Sequence, residues 1–345
     1  MKVLKALLGF GLALALMAGV VAWATYARVH EPYRGFESPE VFVDIPPGAG
    51  AAAIGARLGE AGVVRDAATF RVAVWASGRA RDLKAGEYRF DRPLSSLAVV
   101  DRLARGDVYR RLITFREGLV IPEMAQVFEE RGFGPAEAFE RAASNAALIE
   151  DLDPEAQDLE GYLFPETYAL PRGTTADELV AQMVGLFRQL YADQLRAEAA
   201  AAGLSTRQVV TLASLVEKET ARAEERPLVA AVYRNRLKIG MGMQADPTVI
   251  YALRRAGIYD GNLTRADLQF DSPYNTYRYA GLPPGPIAAP GLASITAVVR
   301  PAPVAHLYFV SRNDGSHVFA DTLREHNRNV QEWQVRYFRE RRRPR

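Results

Sequence analysis

Two glutamates in one short helical stretch are the residues of this sequence whose type and spacing best suit acid chemistry. Glu217 and Glu219 flank a lysine in ASLVEKETARAEER, which covers residues 213–226. A carboxyl group beside apolar walls has its charged form disfavoured, so its pKa rises and it can donate a proton near neutral pH. Protonation of a glycosidic oxygen requires an acid of this kind. Both glutamates meet the requirement in principle.

Other catalytic chemistries find little support in the sequence. The four histidines, His30, His306, His317 and His326, lack the spacing of a zinc site, so we expect no metal. There is no GxSxG, no SxxK accompanied by KTG, and no P-loop lysine after the glycine-rich GLPPGP, so we expect no serine acyl-enzyme and no cofactor. The chain has no cysteine, which excludes thiol chemistry.

The two glutamates depend on a helix for their positions. A capping-box signature at residues 205–208 predicts that this helix begins just before the acidic stretch. Glu217 and Glu219 then lie on opposite edges of an apolar face, with Lys218 pointing to solvent, and cannot form a close carboxylate pair. The pattern equally suits a charged surface face with ion pairs to Lys218 or Arg222. Periodicity leaves these interpretations open.

An uncharged run lies near the N-terminus. It covers residues 6–27 and follows two lysines. About 20 apolar residues cross a bilayer, whereas the core of a signal peptide has about 7–15. We therefore expect a cytoplasmic N-terminus at residues 1–5, a transmembrane anchor at 6–27, and the remainder of the chain outside the cytoplasm. A small-residue pattern at residues 22–24 leaves cleavage as a signal peptide open.

A repeated pattern organises the next part of the chain. Residues 28–40 have the composition of a linker, after which a strand, a turn, an amphipathic helix, a glycine and a second helix are predicted. The same order recurs about 70 residues later, within residues 112–144. The equivalent positions are Gly48 and Gly118, Ile54 and Met124, Leu58 and Phe128, and Gly62 and Gly132. Longer helices follow, and the mixture predicts an α+β fold.

Six separated segments resemble one known family, the YceG-like endolytic murein transglycosylases, also called MltG. They are GYLFPETY at 161–168, ASLVEKET at 213–220, NRL at 235–237, MQADPTVIY at 243–251, SPYNTYRYAGLPPGPI at 272–287 and HLYFV at 306–310. The resemblance implies a membrane anchor, a small LysM-like αβ module at residues 41–107 and a mixed α+β catalytic region at residues 108–345.

The same resemblance implies an activity and a set of site residues. The family's catalytic acid corresponds to Glu219, which leaves Glu217 a supporting role. The expected enzyme is a lytic transglycosylase that cleaves MurNAc–GlcNAc bonds within glycan strands and leaves 1,6-anhydro-MurNAc ends. Glu219 would act first as general acid and then as base. Substrate-binding candidates in the matching segments are Gln244, Asp246, Tyr274, Asn275, Thr276 and Glu166; these residues also suit purely loop-shaping roles.

The expected partners are peptidoglycan strands, the bacterial inner membrane through one helix, and, by resemblance, peptidoglycan synthases. A net charge of +2 gives no reason to expect nucleic acid, and the basic tail RYFRERRRPR is expected to be solvated. Two alternatives stay open. The chain could be a non-catalytic glycan-binding scaffold of cell-wall synthesis, or a muramidase that uses water and leaves a reducing end.

Overall fold

The computed structural model describes residues 2–337 and Arg339, with side chains from Leu8 onward. Most of the basic tail and the side chains of the predicted cytoplasmic segment lie outside the described residues. The chain divides after Arg111 into two compact units. Both contain helices and small sheets, which confirms the predicted mixed α+β class.

The first unit begins with one long helix, α1 (Lys2–His30). Its segment Leu8–His30 has a mean hydropathy of 1.9, and among the described helices it alone is long and apolar enough by itself to cross a membrane. Its last turn packs on the folded body, where Val29 is buried and Arg28 donates to Asp66 at 2.7 Å and to Thr69 at 3.1 Å. The helix therefore continues into the segment that was expected to be a linker.

The body of the first unit has the order strand, two helices, strand and helix: β1 (Val41–Ile45), α2 (Ala51–Glu60), α3 (Ala67–Ser77), β2 (Gly86–Phe90) and α4 (Ser96–Arg105). The two strands are antiparallel, with Val43 opposite Tyr88. Side chains of Leu58, Phe70 and Leu103 fill the core between helices and sheet. The LysM-like interpretation of residues 41–107 stays a prediction.

The unit boundary falls after the first residue of the next strand, β3 (Arg111–Thr114), whose other residues belong to the second unit. The second unit repeats the order strand, two helices and strand with β3, α5 (Ile121–Glu130), α6 (Ala136–Ala143) and β4 (Thr167–Leu170), and β3 and β4 form one sheet. The positions matched in the sequence share conformation. Gly48 and Gly118 have φ of 77° and 78°, and Gly62 and Gly132 have φ of 69° and 68°. These left-handed values favour glycine because it has no Cβ.

The remaining elements of the second unit are mostly helical: α7 (Ala176–Leu190), α8 (Asp193–Ala201), α9 (Thr206–Glu219), α10 (Arg226–Lys238), α11 (Asp246–Arg255), α12 (Leu292–Val299), β5 (Tyr308–Ser311), β6 (His317–Ala320) and α13 (Leu323–Val330), followed by a π-helical stretch, Gln331–Arg336. The predicted capping box at Ser205 and Gln208 is present. Residues 209–216 of α9 are all buried, so this helix is central to the core and has no solvated face there. Its C-terminal turn carries both glutamates to the edge of the core.

Candidate active site

Glu219 is the last residue of α9 and is only partly exposed. Its Oε2 accepts a hydrogen bond from the Tyr233 hydroxyl at 3.2 Å, and its Oε1 accepts none from the described residues. Burial raises the pKa of Glu219, and Asp246 raises it further, whereas His317 and the Tyr233 hydrogen bond lower it. A helix C-terminus also disfavours negative charge. The Glu219 carboxyl group therefore stays protonated to a higher pH than an ordinary glutamate, and its Oε1 is available to a substrate.

Glu217 has the opposite environment, although it lies only two residues away. Its side chain is 6% exposed, and its Oε1 accepts from Arg226 of α10 at 3.0 Å. Its Oε2 accepts from the Gly291 backbone nitrogen at 3.0 Å and from the Ser294 hydroxyl at 2.8 Å. Neither glutamate pairs with Lys218 or Arg222, so the surface ion pairs considered from the sequence do not form. Glu217 connects three helices and has no oxygen free for a substrate.

A second carboxylate, Glu117, approaches this junction from the turn between β3 and α5. Arg226 donates to it at 3.3 Å with the same Nη2 atom that donates to Glu217. Burial and the nearby Glu217 raise the pKa of Glu117. No sequence motif marks Glu117 as a functional residue. Its position beside Gly118, the glycine of the repeated turn, was the signal that could have drawn attention to it.

Asp246 and Tyr277 form an exposed rim beside Glu219. Asp246 is the first residue of α11, and its Oδ1 accepts from the Tyr277 hydroxyl at 2.6 Å. Burial and this hydrogen bond raise the pKa of Tyr277. Gln244 precedes α11, is exposed, and has a φ of 48°, which is unusual for a residue other than glycine. The exposed polar groups of Gln244, Asp246 and Tyr277 are therefore available to a ligand.

Asn275 and Thr276, two predicted substrate-binding residues, are buried. The Asn275 side chain is 0% exposed and donates to the backbone oxygens of Leu268 and Phe270. The Thr276 hydroxyl accepts from the Ala245 backbone nitrogen at 3.1 Å. These side chains shape the loop that carries Tyr277 and leave no surface for direct contact with a sugar.

The other two predicted binding residues lie apart from this rim. Tyr274 packs on Tyr251 with ring centroids 4.9 Å apart, and it lines a cavity together with Arg207. Glu166 is exposed at the start of β4, where its Oε1 accepts from the Thr167 backbone nitrogen at 2.8 Å. The structure therefore brings Asp246 toward Glu219, with Gln244 two positions before it, and places Tyr274 in the cavity lined by Arg207.

A histidine without a zinc motif also lies near the acid. His317, the first residue of β6, has its Nδ1 2.7 Å from Oε2 of Glu225, and its backbone nitrogen donates to Oε1 at 2.8 Å. Thr220, the residue after the acid, donates to the same carboxylate at 3.1 Å. The sequence offered no signal for this pair, because its members are 92 positions apart. Among the described residues, no group of three histidine, cysteine, aspartate or glutamate side chains could hold a metal ion.

Comparisons with known proteins place these features in context. The model of a family described as YceG-like matches residues 43–332. An endolytic murein transglycosylase from Bacillus subtilis is 32% identical over 314 residues, which covers 86% of both chains. One from Streptococcus pneumoniae is 31% identical, and the match covers 85% of this chain and 58% of that longer protein. A crystal structure of a YceG-like protein from Listeria monocytogenes superposes with a TM-score of 0.58 at 29% identity and covers 84% of this chain and 98% of that one.

Proposed function

The chain belongs to the YceG-like family, and on that premise we propose that it is an endolytic murein transglycosylase in which Glu219 is the catalytic acid. The curated relatives bear that activity in their names. The observation that carries the assignment of the acid is the contrast between the two glutamates. Both Glu217 oxygens accept hydrogen bonds within the protein, whereas Glu219 has a raised pKa and one oxygen that accepts none from the described part of the chain.

The proposed reaction needs one carboxyl group in two protonation states. Protonated Glu219 donates its proton to the oxygen of a MurNAc–GlcNAc bond as that bond breaks and positive charge develops on the sugar ring. The C6 hydroxyl of the same MurNAc then attacks C1, and the Glu219 carboxylate accepts the hydroxyl proton. The products are a free GlcNAc hydroxyl and a 1,6-anhydro-MurNAc end, and Glu219 regains its proton. No water is consumed.

The intramolecular attack explains how one carboxyl group suffices. Ordinary glycoside hydrolysis employs a second carboxylate, as a nucleophile or to activate water. A nucleophile that is already part of the reacting sugar gains the entropic advantage of an intramolecular step. Tyr233 supports this chemistry by holding Oε2 and leaving Oε1 toward the substrate.

The rim residues are proposed to bind the glycan. Asp246 has an exposed side chain beside the acid, Gln244 is exposed two positions before it, and the Tyr277 ring, 38% exposed, offers a face on which a sugar can stack. Asn275 and Thr276 contribute by fixing the loop that carries Tyr277. We assign Glu166 and Tyr274 no contact with the reacting bond.

The proposed location follows from α1. An anchor in the bacterial cytoplasmic membrane would keep the catalytic unit on the extracytoplasmic side, where murein is built. We also propose that the enzyme associates with peptidoglycan synthases, which make the strands that it cuts.

Mass spectrometry of digested glycan strands tests the proposal. The full chain in detergent is compared with Glu219→Gln and Glu217→Gln. We expect anhydro-ended products from the native chain and a loss of at least about a hundredfold with Glu219→Gln, since general acid catalysis contributes about 10²–10⁴-fold. Products heavier by one water would indicate a muramidase. Absence of products from the native chain would favour the scaffold alternative.

A further inference from the structure

Glu160 is a buried carboxyl group that the proposed reaction does not use. It is 6% exposed and immediately precedes the GYLFPETY segment. Its Oε2 accepts hydrogen bonds from the Ile121 backbone nitrogen and the Tyr251 hydroxyl, both at 3.3 Å. Its Oε1 accepts none from the described residues. Burial raises the pKa of Glu160 to about 8, so the group is mostly protonated at neutral pH, with Oε1 as the oxygen free to carry the proton.

Two cavities share Glu160, Asp158 and Arg255 among their lining residues. The larger has a volume of about 480 Å³ and is also lined by Glu140, Glu123 and Arg254. The smaller, of about 240 Å³, is lined on its other side by Arg207, Tyr274 and the loop at residues 284–286. Both lie within the second unit.

The charges around these cavities are only partly neutralised. Glu123 pairs with Arg254, but within the described chain Glu140 and Asp158 have no ion pair. On the smaller cavity, Arg207 pairs with Asp153 at 2.9 Å, yet its Nη2 atom is buried and donates no hydrogen bond. A buried donor without a partner is costly unless a ligand or water satisfies it. The larger cavity thus offers the carboxylates of Glu140 and Asp158 to a cation. The smaller cavity offers the Arg207 guanidinium to an oxygen ligand.

We propose that these cavities bind the peptide that murein carries on its sugars. Such a peptide has carbonyl and carboxylate oxygens to accept from Glu160 and Arg207, and an amino-acid side chain with a free ammonium group to pair with Asp158 and Glu140. The inference rests on the proposed function for the choice of this peptide over others. It makes these cavities a specificity site distinct from the acid.

Helix α11 connects the two sites. Its first residue, Asp246, lies beside Glu219, and its last two residues, Arg254 and Arg255, line the cavities. At 1.5 Å per residue, the helix separates its ends by about 13 Å. A peptide attached to a sugar near Glu219 can therefore extend along α11 toward Glu160. This geometry predicts that the enzyme distinguishes peptide-bearing strands from bare ones.

Protonation of Glu160 gives the proposal a specific signature. The charged and titratable groups that line the two cavities with Glu160 are Asp153, Asp158 and Tyr162 near it in the chain, Glu123 on α5, Glu140 on α6, Tyr251, Arg254 and Arg255 on α11, Arg207 on α9, and Tyr274. Only the protonated acid donates to a peptide oxygen, so affinity should fall as pH rises through the pKa of Glu160. At pH 9 about one tenth of a group with a pKa of about 8 remains protonated, which predicts about tenfold weaker binding than at pH 6.5.

Isothermal titration of the full chain in detergent tests this. The probe is N-acetyl-L-alanyl-γ-D-glutamyl-L-lysine, whose blocked N-terminus removes the only ligand group that titrates in this range. We expect binding at pH 6.5 that weakens about tenfold at pH 9. In Glu160→Gln, whose amide still donates, the two affinities should agree within about twofold. Glu130→Gln on the exposed face of α5 is the matched control and should keep the native pH dependence.

A second variant keeps the proposal testable if Glu160→Gln does not fold. Glu140 is exposed, so Glu140→Gln should fold normally and weaken binding about two- to fivefold at both pH values, because an exposed ion pair contributes up to about 1 kcal/mol. Absence of peptide binding by the native chain, or native pH dependence in Glu160→Gln, would overturn the proposal. Binding of the free peptide does not require glycan cleavage, so this result and that of the cleavage assay are independent.

Discussion

At the scale of single residues, the central feature is the difference between Glu217 and Glu219. Both are glutamates in the last turn of one helix, and neither is fully exposed. What separates them is the number of hydrogen bonds to each carboxylate. Glu217 accepts three hydrogen bonds, one of them from a guanidinium group, whereas Glu219 accepts one from a neutral hydroxyl among the described residues. The roles proposed for the two glutamates rest on these partners.

Removal of either of two groups near Glu219 should shift the pH profile of activity, in opposite directions. A general acid must be protonated, so activity falls as pH rises through its pKa. The Tyr233 hydrogen bond lowers that pKa and Asp246 raises it. We therefore expect Tyr233→Phe to move the alkaline limb of kcat/KM to higher pH and Asp246→Asn to move it to lower pH. Measurement of kcat/KM between pH 4 and 9 checks both.

Two shifts in the same direction would contradict the assignment of the alkaline limb to Glu219. Arg222→Gln is a suitable control, because Arg222 is exposed, near in sequence, and bonded chiefly to the backbone oxygen of Gly315. It should leave the limb in place.

At the scale of elements, Glu217 holds α9, α10 and the start of α12 together through Arg226, Gly291 and Ser294. Loss of one partner of a buried ion pair costs about 3–5 kcal/mol, whereas an exposed pair contributes up to about 1 kcal/mol. Glu217→Gln should therefore lower the thermal unfolding midpoint by several degrees, and the exposed Glu224→Gln should leave it nearly unchanged. Circular dichroism melts of both variants provide the measurement.

This comparison also separates folding from catalysis. Glu219→Gln should melt within about two degrees of the native chain while losing activity, since the Tyr233 hydroxyl is the single hydrogen-bond partner of the Glu219 side chain among the described residues. An unfolding midpoint for Glu217→Gln equal to that of the native chain would show that the three-helix junction does not depend on this carboxylate.

The repeated turns offer a second prediction at this scale. Gly48 and Gly62 both have a left-handed φ, but a Cβ at Gly48 meets open space whereas one at Gly62 lies 2.7 Å from the Gly35 backbone. Gly48→Ala should cost about 1–2 kcal/mol of unfolding free energy from its conformation alone. Gly62→Ala should cost more, because the backbone at Gly35 must also move. Urea denaturation of the two variants gives the comparison, and equal costs would show that Gly35 adapts freely.

At the scale of the whole molecule, we expect α1 to hold the chain on a membrane. The helix is continuous from Lys2 to His30; in its last turn Val29 belongs to the core of the first unit, and the exposed Arg28 donates to Asp66. Cleavage after residue 24 would need this helix to unwind. We therefore expect the full-length chain in the membrane fraction of producing cells, resistant to high salt.

Mass spectrometry of the purified chain is the accompanying measurement. An intact N-terminus with membrane partition supports the anchor, and a soluble chain that begins near residue 25 would instead indicate a signal peptide. Substitution of Leu16 by Arg, in the exposed middle of the apolar segment, should release part of the chain from the membrane fraction, because a charged residue there costs about 2.5–3.5 kcal/mol.

The sequence by itself determined the features that depend on neighbours along the chain. These are the apolar segment of α1, the capping box of α9, the α+β class and the repeated glycines whose φ values agree in both units. Composition, periodicity and turn chemistry are local properties, so one dimension suffices to recognise them.

Only the tertiary structure decided which residues are free to react. The bonds to Glu217 come from residues 9, 74 and 77 positions away, and Asn275 and Thr276 looked available in the sequence but are buried in their own loop. Nothing in the sequence distinguishes Glu160 from other glutamates. Only the fold places it at two cavities and in contact with Tyr251, 91 positions away. Burial and hydrogen bonding depend on contacts between distant segments, and they determine whether a carboxyl group stabilises the fold or can donate a proton to a substrate.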